Sequence, residues 1–560
     1  MKTRRWLAVV IAVVLLVGSF STALEVAQAT KGPDPLAFVE DNFETVETVD
    51  ITLDGETISV TKYLVTYVAN PVEMADADDP TAWQKMHIYV PETASDDQDT
   101  AIIMQVNNGG WMNSPVGDIF TDRQGNPVTE FVSDSDTDND GAALAAGYVI
   151  VNVGTRSRGL IAADGTYPGH APAVVVDAKA AIRYLKYNDE IMPGSADKIV
   201  ITGTSGGGGL STAVAASGNS PDYYPYLAEI GAAGIDANGN KSTLTDDVFA
   251  TIAYCPITDL NHADMAYEWQ YTFTRLVDDD YTDGEFSARV SIELAALYPA
   301  YLESLGLVLE DGTPLNANTM PGAIKELVKA GTEKAMVNGE TVPDLGEDWE
   351  FEQRDGSILV VTNDWLDVDN DADTVVSIDY GKYLEFVTTT AALKTAPAFE
   401  NYGTPLQYRM NESNLSGDEK TEYNHWLGWS WENDVIPDNG VGLDDTNLTF
   451  DQFMKTAAGK AVVHQMKMIN PMPYLISDEG DSAPYWYVRH GIRDRDTSFA
   501  VEAALFYAIQ NDSTVQDANY ALAYMQPHGG NYDVQEAYGW LAGVWEEEEK
   551  QEPAKGLTSQ

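Results

Sequence analysis

Cysteine is nearly absent: Cys255 stands alone among 560 residues, so no disulfide can form within the chain. Cations are scarce too, with 32 Lys and Arg against 88 Asp and Glu and a formal net charge of −56. So acidic a surface excludes nucleic acid and anionic membranes as partners and favours solubility, including in salty surroundings. It says nothing about chemistry, because most of these carboxylates form a solvated shell. Against that background a basic residue near a site is more informative than an acidic one. Histidines number only seven, which shortens any search for a general base. Past the N-terminal segment no apolar run is long enough to span a membrane.

What is present begins with a targeting segment. Lys2, Arg4 and Arg5 form a charged region, Leu7 through Val17 an apolar one, and Ala27-Gln28-Ala29 a small-x-small cleavage site. Residues 1–29 therefore read as a cleavable signal peptide, which predicts a secreted or periplasmic mature protein. The full chain is 44% hydrophobic and 10% aromatic, enough for a sizeable core. Its length suggests about two to four domains or one enlarged one.

The pattern alternates between strands and helices. Phe43–Val68 reads as a hairpin turning at Asp54-Gly55, and Lys85–Pro91, Thr100–Val106 and Gly147–Gly154 as further strands. Val174–Tyr187 is amphipathic at helical spacing and leads into Lys198–Thr202, a β-branched run. Val248–Ile257 is the next buried strand. Regular parallel strands return only at Tyr485–His490, followed by a helix at Thr497–Ile509, a strand at Tyr520–Met525 and a closing helix at Tyr532–Glu546. This predicts an α/β fold, a mostly parallel doubly wound sheet with a large inserted lid domain. The expected division is a core in two parts, 30–257 and 478–546, a lid at 258–477 and an acidic tail at 547–560. Asp134–Gly141 and Asp367–Asp373 carry oxygens at the alternate positions of a calcium loop. The first has Gly147 where the last ligand belongs and the second lacks the turn glycine, so both read as solvated acidic loops.

One stretch carries chemistry. The β-branched run ends in Gly203-Thr204-Ser205-Gly206-Gly207, and small residues able to form a helix follow. Strand, sharp turn, serine and helix make a nucleophile elbow, with the Gly206 N–H at a helix N-terminus aimed at a developing oxyanion. The strand Thr100–Val106 runs into Asn107-Asn108-Gly109-Gly110-Trp111, where a second backbone donor is expected around Gly110. A serine hydroxyl needs a base, and the base needs a carboxylate that fixes its tautomer. His528 alone follows a final strand and precedes a closing helix. For the acid, Asp494 follows the Tyr485–Ile492 strand and Asp496 is the alternative; Asp496 or Thr497 is expected to cap the next helix.

The runs Gly203–Ala233, Tyr254–Trp269, Tyr487–Ser498 and Pro527–Asp533, with Asp-x-Asp after Arg-His-Gly, resemble the bacterial tannase-type serine esterases, α/β hydrolases with a large lid that cleave gallate esters. The resemblance implies Ser205, Asp494 and His528 as the triad, with Gly206 and Gly110 as the oxyanion hole. It implies Asp496 as the partner of a ring hydroxyl, Ile257 as packing on the ring, and the lid residues Lys394 and Glu412 as partners of the other hydroxyls. Thr204 and Pro527 stand where fungal-type tannases and feruloyl esterases place a disulfide, which excludes that family. The expected partner is a small phenolic ester, with no cofactor and no metal; the oligomeric state stays open. The alternatives are a broad carboxylesterase or feruloyl-type esterase with the same triad, and, from another class, a non-catalytic calcium-dependent surface-binding protein.

Overall fold

A computed structural model describes residues 34–277, 284–353, 355–406 and 411–555. The expected signal peptide, residues 1–29, lies outside the described residues, as does the end of the expected acidic tail, 556–560.

The core is one ten-stranded sheet. In chain order its strands are β1 (Phe43–Leu53), β2 (Glu56–Thr66), β3 (Lys85–Pro91), β4 (Ile102–Val106), β5 (Glu130–Phe131), β6 (Val149–Val153), β7 (Ile199–Thr204) and β8 (Ala250–Tyr254). The inserted segment adds β9 (Asp348–Glu352), β10 (Ile358–Thr362), β11 (Leu366–Asp369) and β12 (Thr374–Ile378) in two separate hairpins, before β13 (Tyr485–Gly491) and β14 (Asp517–Ala523) complete the main sheet. Its spatial order is β14-β13-β8-β7-β4-β6-β3-β2-β1-β5. The six strands from β14 to β6 run parallel, and β3, β2 and β1 continue antiparallel from β6. Residues of β6, β8 and β13 are buried throughout, as expected for parallel strands covered by helices on both faces. The carboxyl ends of β4, β7, β8, β13 and β14 therefore share one edge of the sheet, where ligands bind in such folds.

Between β8 and β13 the chain leaves the regular alternation. Helices Leu260–Val277 and Met320–Val337 bracket part of this insertion; the first packs on the helix Phe499–Asn511 and the second along edge strand β14. The insertion thus shields a sheet edge that would otherwise present unpaired backbone groups.

Local differences from the sequence expectations have physical causes. β14 begins at Asp517 because it pairs with β13 from Tyr485 onward. The helix after β13 starts at Phe499 and is capped by Ser498, whose hydroxyl accepts from the Val501 N–H; neither Asp496 nor Thr497 is the cap. The closing helix runs Val534–Lys555, so the Glu546–Glu549 run is helical, with Lys550 facing Glu546 one turn back at 3.6 Å. In each of the two acidic loops one carboxylate is spent on backbone amides. Asp138 caps the helix Asn139–Ala145 and accepts from Gly141 and Val132 amides at 2.8 Å each, and Asp369 accepts from the Asp371 and Ala372 amides in the β11–β12 turn.

Candidate active site

Ser205 sits between β7 and the helix Gly206–Ala216 at φ 62° and ψ −122°. An L-residue held there stores roughly 1–3 kcal/mol of backbone strain. The surroundings enforce it: the Ser205 N–H donates to Tyr254 O (2.9 Å), while Ser205 O accepts from the amides of Gly209 (2.9 Å) and Ile257 (3.1 Å). The hydroxyl stands free of its own backbone and meets His528 Nε2 at 2.9 Å. On the other side of the ring, Nδ1 lies 2.8 Å from Asp494 Oδ2. With Nδ1–H donating to the carboxylate, Nε2 is left as the acceptor facing the serine.

Asp494 is fully buried and also accepts from the Asp496 N–H at 2.8 Å. Burial would raise its pKa, but the neighbouring imidazoles of His490 and His528 and the Asp496 amide hold it below the ordinary carboxylate value. His528 shows the complement. Burial disfavours its charged form, yet the bond to Asp494 and its charge win, so the pKa is raised; the Lys394 charge works the other way. Of the two carboxylates left open by the sequence, Asp494 makes the hydrogen bond, whereas Asp496 Oδ2 stands 3.6 Å from Nδ1 and its other oxygen pairs with Arg495. His490 is buried beneath Asp494, 3.5 Å from its carboxylate.

The two expected oxyanion donors adjoin. The Gly206 amide opens a helix and has no intrahelical acceptor. A Cβ at Gly206 would overlap Trp111 N and Asn108 O, so the elbow and the 109–111 turn touch only because this residue is glycine. In that turn the Trp111 N–H donates to Asn108 O (2.8 Å), which narrows the expected donor region to the amides ahead of it, Gly110 included.

What holds this turn was not anticipated. The loop after β6 supplies three side chains to it. Arg158 donates to Gly110 O from Nε (2.9 Å) and Nη2 (2.7 Å), Ser157 Oγ donates to Trp111 O (2.6 Å), and Thr155 Oγ1 bonds the Asn108 side chain, whose Nδ2 reaches Met112 O. Arg156 anchors the loop on buried Asp177, which accepts its backbone N–H (2.7 Å) and its guanidinium (2.8 Å). The available signal was Thr-Arg-Ser-Arg directly after a buried strand in a chain short of cations.

The four residues implied for ring binding lie at different removes. Ile257 is buried beside the elbow, its amide on Ser205 O and its carbonyl accepting from Trp111 Nε1 (2.8 Å). Asp496 borders His528 and lines a cleft of about 790 Å³ with Gln353, Arg493, Arg495 and His528. The Lys394 ammonium lies 4.1 Å over the Phe399 ring and within electrostatic reach of His528. Glu412, in the turn Glu412–Leu415, approaches the site through Arg158, with Oε1 3.7 Å from Nη2. Among the described residues one group has metal-ligand proximity: atoms of Cys255, Asp494 and His528 lie within 4.8 Å of one another. Its members are already engaged, since His528 bonds both Ser205 and Asp494 and the Cys255 thiol donates to Gly529 O at 3.1 Å.

The arrangement supplies a strained serine, a histidine bridging it to a buried carboxylate, and converging amides, the parts of an acyl-transfer site. Comparison with known proteins places it. A family model described as BD-FAE, an α/β-hydrolase esterase family, matches residues 86–289. The crystal structure of Fusobacterium nucleatum tannase is 30% identical, with 91% of this chain and 99% of that one covered and a TM-score of 0.69. The chain belongs to the bacterial tannase family. The native tannin acyl hydrolase of Lactobacillus plantarum is similar at 29% identity over 91% of this chain and 98% of that one, with a TM-score of 0.69. A tannin acyl hydrolase in complex with ethyl gallate is 29% identical over the same shares, with a TM-score of 0.68. No curated protein matches the sequence. This member of the tannase family is a carboxylic ester hydrolase on an α/β-hydrolase fold, with no described helix long and apolar enough to cross a membrane.

Proposed function

We propose that this tannase-family enzyme is exported through its N-terminal segment and hydrolyses esters of gallic or related hydroxybenzoic acids by way of an acyl-enzyme on Ser205. The observation that carries the reading is the unbroken hydrogen-bonded line Ser205–His528–Asp494 beginning at a strained elbow. His528 takes the serine proton as Oγ attacks the ester carbonyl, and Asp494 holds the imidazole and stabilises the imidazolium that forms. The Gly206 and Gly110 amides receive the developing oxyanion. His528 returns its proton to the leaving alcohol, then activates water against the acyl-enzyme. Asp496, Lys394 and Glu412 supply a cation and two carboxylates for ring hydroxyls, while Ile257 offers an apolar face. Two liganded relatives, in complex with ethyl gallate and with 3,4-dihydroxybenzoate, support a hydroxylated benzoyl compound as the substrate class.

The test compares purified enzyme on methyl gallate, methyl ferulate and p-nitrophenyl acetate. We expect the highest kcat/KM on methyl gallate, and covalent labelling by a serine-directed fluorophosphonate that Ser205→Ala abolishes. A preference for methyl ferulate would move the acyl group to the feruloyl class; labelling that survives Ser205→Ala would overturn the mechanism.

A further inference from the structure

Arg158 spends its guanidinium on two parts of the molecule at once. Nε and Nη2 hold Gly110 O in the oxyanion turn, while Nη1 donates to Asn411 O (2.8 Å) and Asn414 Oδ1 (3.3 Å) in the insertion, on either side of Glu412. It is 7% exposed, and burial works against its charge while the Glu412 carboxylate favours it. The separation of 3.7 Å between Nη2 and Glu412 Oε1 is too long for a hydrogen bond, so the carboxylate keeps its lone pairs for another donor. Only the planar fork of arginine meets acceptors on both sides in this way; a lysine ammonium is a point.

We infer that Arg158 is a positioning residue that couples acyl-ring recognition at Glu412 to the oxyanion turn at Gly110. A ring hydroxyl donating to Glu412 fixes the 411–414 segment, that segment fixes the guanidinium, and the guanidinium holds the Gly110 carbonyl, which sets the orientation of Gly110 and hence of its own N–H, in the preceding peptide, to which the reacting carbonyl oxygen is presented. Binding energy from a part of the substrate that does not react is thereby realised at the reacting centre, where it raises kcat and not only affinity. The inference rests on the proposed roles of Glu412 and Gly110 and goes beyond them by linking the two.

The experiment measures kcat and KM separately on methyl gallate and methyl benzoate for wild type, Arg158→Lys, Glu412→Gln and the double variant, with circular dichroism and melting curves for each. In wild type the ring hydroxyls raise kcat. Arg158→Lys is expected to lower kcat on methyl gallate by about 100-fold, the scale of one misaligned oxyanion donor, and to reduce the gallate-to-benzoate kcat ratio at least tenfold. Glu412→Gln, which leaves the guanidinium in place, lowers kcat on methyl gallate and does not merely raise KM. The double variant loses no more than the worse single one. Equal fold-losses on the two esters in Arg158→Lys, a pure KM effect in Glu412→Gln, or additive losses in the double variant would each overturn the coupling. A wild type with equal kcat on both esters overturns the gallate reading and the coupling with it, whereas a discriminating wild type whose ratio survives Arg158→Lys overturns the coupling alone.

Discussion

His528 and His425 each sit between two hydrogen-bonding side chains, and their second partners differ. His528 has a carboxylate on Nδ1 and the Ser205 hydroxyl on Nε2, with its side chain 26% exposed at the edge of a cleft. His425, inside the insertion, has carboxylates on both nitrogens, Glu400 on Nδ1 and Asp434 on Nε2 at 2.8 Å, and is fully buried. Asp434 also accepts from Tyr423, and Ser430 Oγ donates to Glu400 O, so the group ties four segments of the insertion together. A general base needs one nitrogen free to take a proton. His528 can offer it, while both nitrogens of His425 face carboxyl groups, and its pKa is raised by them. Proximity of histidine to carboxylate therefore does not mark a catalytic pair; the identity of the second partner does.

The largest expected effect comes from breaking the His528 side. In Asp494→Asn the amide NH₂ in place of a carboxylate oxygen favours the wrong imidazole tautomer, and kcat should fall by about 10⁴-fold on every ester. Circular dichroism and the melting temperature should stay near wild type. Unchanged turnover would transfer the acid role to Asp496, 3.6 Å away.

A smaller effect tests selectivity within the same half of the site. Asp496→Ala removes a carboxylate that borders His528 without replacing Asp494. It should lower kcat/KM on methyl gallate by about 10- to 100-fold, the weight of one charged hydrogen bond, and change methyl benzoate little. Equal losses on the two esters would remove Asp496 from ring recognition.

The same contrast explains how far the sequence could be read. Ser205, Gly206 and His528 are set by local chain features: a strand, a tight turn, a loop before the last helix. The choice of Asp494 over Asp496 could be proposed from its distance after β13, but only the fold brings it to His528. Thr155, Ser157 and Arg158 escaped notice because their work is done on carbonyl groups far along the chain, which leaves no periodic trace. β9 escaped because Asp348-Trp349-Glu350-Phe351-Glu352 buries only two residues in five, a pattern too short to stand out. Ser498 was passed over as a cap because Asp and Thr beside it cap helices equally well. Glu412 was named through family resemblance alone, and nothing in its local sequence signals that it lies beside Arg158.

The smallest expected effect separates the two histidines by pH. Burial opposes the charge on His425, but Glu400 and Asp434 outweigh it and push its pKa up to about 9. A raised value means that the folded state binds the proton more tightly than the unfolded one. The stability this contributes is fully present below the unfolded value, near 6.5, and is lost as pH rises through about 9. Asp264, buried and bonded to the Phe399 and Glu400 amides, is raised by burial to about 8 and adds to the same loss. His528 runs the other way in activity, since kcat/KM rises with pH as its imidazolium gives up a proton. Between about pH 7 and pH 9.5 the melting temperature should therefore fall by several degrees while kcat/KM on methyl gallate does not fall with it. In His425→Gln the melting temperature should be lower at pH 7 and its dependence on pH shallower, with the acid limb of kcat/KM where it was. A melting temperature that stays flat across that range in the wild type, or an acid limb that moves in His425→Gln, would mean that the two imidazoles are not divided between structure and catalysis as their partners indicate.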